Sequence, residues 1–327
     1  LEVIDGTLVL ESEETDLTIQ RFEFSEFNAG VTDVRLNNKF QFDIKGQLSL
    51  PTQKGKSPCR LQGEGGLRIG DRQRLEPYFD FDLEAKSLEL ASLREALAKQ
   101  TNKEFIKGTS DLHLHLAGAP SEEVDFQIRL SSNNMSIRPN TDYADPSPLK
   151  NLTASGRLHL QGEHPGIEAL SLQLDDSRLA GEITWSTQSE PFSARVKILN
   201  GSLPITAVKR WLPGHQEALQ HVRQQLKEQG FAEIRQAQIL FQEKRGQEQE
   251  WHLETIQGTL LNIGWTIQNG PDAELESLAF DINGNKWQID SGKGRLGSTR
   301  LTIKGAGELG TENLLLSTLD VNGKVQI

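Results

Sequence analysis

Apolar and polar residues alternate along almost the whole chain, as in Phe79-Asp-Phe-Asp-Leu83 and Leu112-His-Leu-His-Leu116. Because successive side chains of a β-strand point to opposite faces, this period of two gives each strand one apolar face and one polar face. A β-sandwich would cover the apolar face with a second sheet, but the pattern continues through all 327 residues without an obvious second layer. The sequence therefore predicts a long apolar surface on one side of a sheet.

Composition excludes several classes of protein. The net charge is −11 and no cluster of Lys and Arg is interleaved with aromatic residues, so we expect no nucleic-acid partner. Cys59 is the single cysteine, which excludes an internal disulfide and a multi-cysteine metal site. No apolar run reaches the ~18 residues of a membrane-spanning helix, and no signal-peptide pattern opens the chain. Since the chain starts at Leu1 and ends in a strand-like pattern, we interpret it as a piece of a longer protein.

Glycine-containing pairs are predicted to form tight turns, which would join consecutive strands into an antiparallel meander. Helical spacing interrupts the meander twice, at residues 90–100 and 206–229, where the second helix is expected from Gln216 to Gln229 with Gly230 as its C-terminal cap. The predicted turns are Asp5-Gly6, Asn28-Ala-Gly30, Lys45-Gly46, Gly63-Glu-Gly-Gly66, Asn200-Gly201, Asn269-Gly270, Asn283-Gly284 and Asn322-Gly323.

The segments that lead into the two helices resemble each other. Glu76-Pro77-Tyr78 and Glu190-Pro191-Phe192 each precede an alternating strand, a turn, a short apolar segment and a helix; the two turns are at Lys86-Ser87 and Asn200-Gly201. This indicates a degenerate repeat of roughly 115 residues, of the kind that builds elongated repeat proteins. The predicted divisions are 1–100, a β-groove repeat ending in a short helix; 101–230, a repeat ending in an amphipathic helix; and 231–327, further groove strands.

One repeat unit carries a family resemblance. Pro191-Phe-Ser-Ala-Arg-Val-Lys-Ile198, Asn200-Gly201, Leu203-Pro-Ile205 and Val208-Lys-Arg-Trp-Leu-Pro213, followed by an amphipathic helix, resemble the AsmA-like proteins of Gram-negative bacteria, particularly the YhdP and TamB branch. The resemblance implies a mainly β fold: an elongated, curved antiparallel meander (a β-taco) whose open apolar groove holds lipid acyl chains, with two short interrupting helices. It also implies a periplasmic location, an inner-membrane helix outside this sequence, possible envelope protein partners, and phospholipid transport between the inner and outer membranes.

The groove residues predicted from the alternation are the apolar members of eight segments. They are Phe79, Phe81, Leu83, Leu112, Leu114, Leu116, Phe126, Ile128, Leu130, Leu170, Leu172, Leu174, Ile183, Trp185, Val196, Ile198, Trp251, Leu253, Ile263, Trp265 and Ile267. The alternative is an ordinary core in which the sheet curls and buries these side chains itself.

Other chemistry has little support in the sequence. His113 and His115 share one strand face, as two metal ligands would, but they occupy the polar face and no third ligand is near, so we expect no metal. Asp80, Asp82 and Asp175-Asp176 are interpreted as solvated carboxylates, and Gly63-Glu-Gly-Gly66 lacks the ending of a phosphate-binding loop.

No nucleophile motif is present, so we expect neither an enzyme nor a cofactor. Two other functions stay open. One is a periplasm-spanning scaffold or outer-membrane assembly factor. The other is a secreted polysaccharide-binding or polysaccharide-cleaving β-solenoid, which would bring carboxylates and aromatic residues together on one outer face.

Overall fold

The protein is mainly β in the computed structural model, and its strands form an antiparallel open sheet, as predicted. The chain folds into two compact units, Leu1–Gly162 and Glu163–Ile327. The predicted boundaries at residues 100 and 230 stay predictions. The structure describes residues 2–12, 20–32, 39–50, 55–69, 75–92, 106–132, 134–137, 147–161, 165–186, 192–211, 224–243, 249–267, 270–309 and 314–324.

The first unit contains a meander in which each strand pairs antiparallel with the next, in the order β1-β2-β3-β4-β5-β7-β8-β11. Three two-residue strands, β6, β9 and β10, form a separate small sheet. The strands are β1 (Glu2–Ser12), β2 (Gln20–Thr32), β3 (Lys39–Ser49), β4 (Ser57–Ile69), β5 (Leu75–Glu89), β6 (Ile106–Lys107), β7 (Thr109–Gly118), β8 (Val124–Ser131), β9 (Ser136–Ile137), β10 (Ser147–Pro148) and β11 (Asn151–His159).

The second unit continues the same architecture. Its strands pair antiparallel in simple chain order from β12 to β20. Its elements are β12 (Gly166–Leu174), β13 (Ser177–Ser186), β14 (Phe192–Pro204), α1 (Ile205–Trp211), β15 (Phe231–Glu243), β16 (Gln249–Trp265), β17 (Ala273–Asn283), β18 (Lys286–Leu296), β19 (Thr299–Leu309) and β20 (Leu314–Lys324).

Most of the predicted glycine turns lie inside strands instead. Asn283-Gly284 is a hairpin turn, with a φ of 58° at Gly284, and Gly270 lies in the connection between β16 and β17. The other six predictions were wrong, because these segments pair with neighbouring strands along the sheet, and some of their glycines make room for a side chain across the ladder. A Cβ on Gly6 would lie 2.6 Å from the Phe27 ring, and one on Gly65 would lie 3.0 Å from the Phe40 ring. The six are Asp5-Gly6 in β1, Asn28 to Gly30 in β2, Lys45-Gly46 in β3, Gly63 to Gly66 in β4, Asn200-Gly201 in β14 and Asn322-Gly323 in β20.

Several strands contain β-bulges, which reset the alternation of their side chains. The predicted turn at Lys86-Ser87 is one of them: Ser87 has a φ of 56°, and the register shifts between Ala85 and Leu88. Ala85 and Leu88 are three residues apart, yet both belong to one buried cluster. A bulge inserts one extra residue and bends its strand, so two residues that strict alternation would separate can share a face.

The second helical segment ends earlier than predicted. Residues 224–225 are helical, but Leu226 forms an isolated antiparallel bridge with Trp265, so the chain is extended before it reaches Gly230. Gly230 therefore does not cap a helix; its φ is 95° and its carbonyl accepts a hydrogen bond from Ile205. Residues 212–223, which include the first half of the predicted helix from Gln216 to Gln229, lie outside the described residues. Of the first predicted helix, residues 90–92 are described, and they are helical.

Buried apolar residues concentrate at one side of each unit. We define the first packed margin as the cluster of Leu50, Cys59, Ala85 and Leu88, against which Phe24, Leu48 and Leu112 pack. We define the second packed margin as the cluster of Ile205, Leu226 and Ile263, against which Val208, Leu260, Trp265 and Leu275 pack.

Candidate functional site

The apolar residues of neighbouring strands lie in register in the first unit. Residues that face each other across a ladder point to the same side of the sheet, so each register row is a continuous line of side chains. We call the surface that these rows form the first apolar face. Its rows from β3 to β11 are Phe42-Gly63-Phe81-Leu116-Phe126-Gly156, then Ile44-Leu61-Leu83-Leu114-Ile128-Ala154, then Gly46-Cys59-Ala85-Leu112-Leu130-Leu152.

Exposure changes across the first apolar face. The row at the packed margin contains Cys59, Ala85 and Leu130, which are buried. The side chains of the two other rows are partly exposed, and Phe81 and Leu114 are examples. In the described strands, the apolar surface is therefore buried at one margin and partly accessible to solvent elsewhere. This is the feature that a ligand with a hydrocarbon chain would recognise.

The second unit has an equivalent surface, the second apolar face. Trp185 and Phe241 lie in one row with Ala194, at one end of their strands. On β14 this row is near the start of the strand, whereas the second packed margin is next to its end. The rows are Trp185-Ala194-Phe241, where Phe241 pairs with Trp251 on the next strand, then Ile183-Val196-Ile239-Leu253, then Leu170-Gly181-Ile198-Ala237-Ile256-Ile282-Trp287, then Leu172-Leu179-Gly201-Ile234-Gly258-Phe280-Ile289.

Most of the predicted groove residues lie in these rows, and five lie outside them. Ile267 lies beyond the end of β16 and is exposed. Ile263 is 4% exposed and, with Trp265, packs in the second packed margin because the chain returns over it at Leu226. Leu174 pairs with Ser177 beside a hairpin turn, and Phe79 pairs with Gly118 at the far end of β5.

Sequence reasoning missed several members of the two faces. Phe40, Phe42 and Ile44 alternate as clearly as the predicted segments, so this local signal was available. Glycines such as Gly63 and Gly181 are also members of the rows, but no local signal gave their position, which depends on the strand register. Others missed are Leu61, Leu179, Ile234, Ile239, Ile256, Phe280, Ile282, Trp287 and Ile289.

The opposite face of the first unit is polar and carries cross-strand ion pairs. Arg60 binds Asp43 through two hydrogen bonds, each of 2.9 Å. The hydrogen bonds from Arg60 hold the pKa of Asp43 below its ordinary value. Lys39 hydrogen-bonds Glu64, which raises the pKa of Lys39. Because these groups are solvent-accessible, their ion pairs contribute little to the stability of the fold.

His113 and His115 lie on this polar face, as predicted. His115 Nδ1 is 3.2 Å from Asp82 Oδ1, and His113 Nε2 is 3.5 Å from the same oxygen. Within the described residues, no group of three or more His, Cys, Asp or Glu side chains is arranged to hold a metal ion. The cluster is a set of polar contacts across β5 and β7, in which His115 is within hydrogen-bonding distance of Asp82.

A concavity of about 560 Å³ lies over the same polar face. Its polar lining includes Gln62, Asp80, Asp82 and the Arg60-Asp43 pair. The three close aromatic pairs of the first unit, such as Phe79 with Phe81, belong to residues of the other side of the sheet. Of the residues that line this concavity, Phe42 is aromatic and Asp43, Glu64, Asp80 and Asp82 carry carboxylates.

Comparisons with known proteins give no family for the chain. No family model, no curated protein and no solved structure matches it. Among the described helices, none combines the length and the apolar character needed to cross a membrane.

Proposed function

We propose that this protein binds lipid acyl chains on its two apolar faces. In this proposal it is part of an AsmA-like envelope protein that supports phospholipid transport between the inner and outer membranes. The observation that carries the proposal is the register of partly exposed apolar rows, such as Ile44-Leu61-Leu83-Leu114-Ile128. It would act in the periplasm, anchored to the inner membrane by a helix outside this sequence, with other envelope proteins as partners.

The energetics favour a continuous apolar surface over a closed pocket. Each methylene buried contributes about 0.8 kcal/mol, so a chain of ~16 carbons that leaves a bilayer loses on the order of 13 kcal/mol unless another apolar surface replaces the membrane. Strands are spaced ~4.8 Å apart, so a row across eight strands extends ~34 Å. One leaflet contributes ~15 Å to the hydrocarbon core of a bilayer. The apolar surface therefore continues across the strands for about twice the span of one acyl chain, so a bound chain can move from strand to strand without leaving it.

The proposed mechanism is physical. Because the rows contain only apolar side chains and glycines, the free energy of a bound chain changes little from strand to strand. A chain can then slide without a covalent step, so no catalytic residue and no cofactor is needed. The scaffold alternative differs in one respect: it predicts that the purified protein carries no lipid.

The test combines native mass spectrometry, extraction of co-purified lipid, and a pair of adjacent substitutions. Leu83→Asp puts a charge in the middle of the first apolar face, where an unpaired ion in apolar surroundings costs several kcal/mol. Asp82→Asn changes the next residue, whose side chain points to the polar face. We expect phospholipid with the wild type and with Asp82→Asn, and strongly reduced lipid with folded Leu83→Asp. Lipid lost only in Asp82→Asn, or absent from the wild type, would refute the proposal.

A further inference from the structure

The two margins of the first apolar face differ in packing. Along β4, Cys59 belongs to the packed margin, and six residues later Gly65 lies in the last row of the apolar face that β3 and β7 also reach. Gly65 lies in a row with Phe40 and Phe79, both partly exposed, and we call this row the open margin. On β7 and β8 the same row continues through Gly118 to Val124, which is buried together with Ala119 beside the β7–β8 turn, so the open margin is the part of the row on β3, β4 and β5.

The side chains of the packed margin are almost completely buried. Leu50 is 3% exposed, Ala85 1% and Leu88 0%. The buried hydroxyls beside it already have acceptors, since Ser57 Oγ donates to the carbonyl of Ser87 and Ser110 Oγ donates to the carbonyl of Ser131. A carboxylate or phosphate placed among these apolar side chains would lose hydration that they cannot replace.

The second unit has the same asymmetry. Its packed margin forms where α1 and the returning segment at Leu226 lie against Ile263. Trp265 Nε1 donates to Gln225 Oε1 over 2.6 Å and Lys209 Nζ donates to the carbonyl of Leu226 over 2.6 Å, so the polar groups of this segment are also engaged. The opposite ends of the strands carry the row with Trp185 and Phe241, which are partly exposed.

We infer that an acyl chain lies along the strand direction in each unit, with its methyl end against the packed margin and its polar end leaving at the open margin. The inference rests on the proposed function and adds the orientation of the ligand. The distance along β4 between the two margins is ~20 Å for six residues at ~3.3 Å each. This accommodates the ~15 Å that an acyl chain spans in one leaflet.

The orientation is tested by photo-crosslinking the intact protein with two saturated 16-carbon fatty acids. One probe carries a diazirine next to its methyl end and the other carries it next to its carboxyl group. Labelled peptides are identified by mass spectrometry. We expect the methyl-end probe to label the β4 and β7 peptides around Cys59 and Leu112, and the carboxyl-end probe to label those around Phe40 and Phe79. Reversed labelling, or equal labelling of both margins by both probes, overturns the orientation but leaves acyl-chain binding intact. No specific labelling by either probe overturns the proposed function as well.

Chain-length preference gives a second measurement. Leu112→Ala removes a side chain that packs against the first packed margin, which lengthens the space for the methyl end. We expect the preferred chain to become longer, with roughly a fourfold gain in affinity for each additional methylene that is buried. The control is Phe79→Leu at the open margin, which should leave the preferred length unchanged. A length shift in the control and none in Leu112→Ala would contradict the orientation.

Discussion

The backbone nitrogen of Leu90 donates a hydrogen bond of 3.0 Å to the carbonyl of Gly108, and Ile205 donates an identical bond to Gly230. In each pair the donor is the first helical residue after a strand, and the acceptor directly precedes the next strand of the meander. The two glycines have φ values of 100° and 95°. The degenerate repeat seen in the sequence thus corresponds to one strand-to-helix junction that is built twice.

Alanine at either junction glycine should destabilise the protein. A Cβ on Gly108 would lie 2.3 Å from the carbonyl oxygen of Asn134, and one on Gly230 would lie 2.4 Å from that of Leu261, in addition to the strain of the positive φ. We expect Gly108→Ala and Gly230→Ala each to lower the free energy of unfolding by ~1–3 kcal/mol in urea denaturation. Gly30→Ala is the control, because a Cβ there meets no atom within 4 Å, and it should change stability little. An equal effect of all three substitutions would argue against the junction geometry.

Truncating a side chain of the first packed margin should destabilise the protein as a core substitution does, and truncating one in the centre of the first apolar face should destabilise it less. Leu88 is 0% exposed, whereas Leu114 is partly exposed in the middle of the face. Leu88→Ala is expected to cost ~2–5 kcal/mol of unfolding free energy, and Leu114→Ala clearly less, because less contact area is lost. Thermal or chemical denaturation measures both. Equal losses would mean that the face is an ordinary buried core.

The thiol of Cys59 should be unreactive in the folded protein. Burial raises its pKa to about 11, so almost no thiolate is present at pH 8. We expect slow labelling by a disulfide reagent in buffer and fast labelling in denaturant. Since Cys59 belongs to the first packed margin, Leu88→Ala should accelerate its labelling. Rapid labelling of the native wild type would show that this margin opens readily.

Acid should remove the contribution of the Arg60-Asp43 pair. The folded-state pKa of Asp43 lies below its ordinary value, so the stabilisation is fully present above the unfolded-state pKa of ~3.9 and is lost as pH falls through the folded value. The stability difference between the wild type and Asp43→Asn should therefore be constant near pH 6 and shrink below pH ~4. Arg60→Gln should show the same pH dependence. A difference that grows on acidification would contradict the pairing.

Local sequence patterns correctly predicted which strand residues face the apolar side and which face the polar side, where this depends only on neighbouring residues. Phe79 to Leu83 in β5 and Leu112 to Leu116 in β7 have the predicted apolar and polar faces, because side-chain direction along a strand follows from backbone geometry. The helix at Ile205 was also indicated by spacing. The segment that packs against this helix was not predicted. Leu226 is not helical but pairs with Trp265, which lies 39 positions further along the chain.

The sequence by itself determined that this protein is a chain of two-faced strands, one face apolar and one polar. Only the tertiary structure decided which strands stand side by side and in which register, because pairing joins residues that are distant in sequence. A glycine such as Gly46 was a plausible turn from its neighbours Lys45 and Gln47. It lies inside β3, paired with Cys59, and a Cβ at this position would come within 2.8 Å of Phe27 across the ladder, so glycine is needed here for close packing and not for a turn. The same non-local contacts decided that Leu88 is sealed in a packed margin while Leu83, five residues earlier, lies on the accessible face.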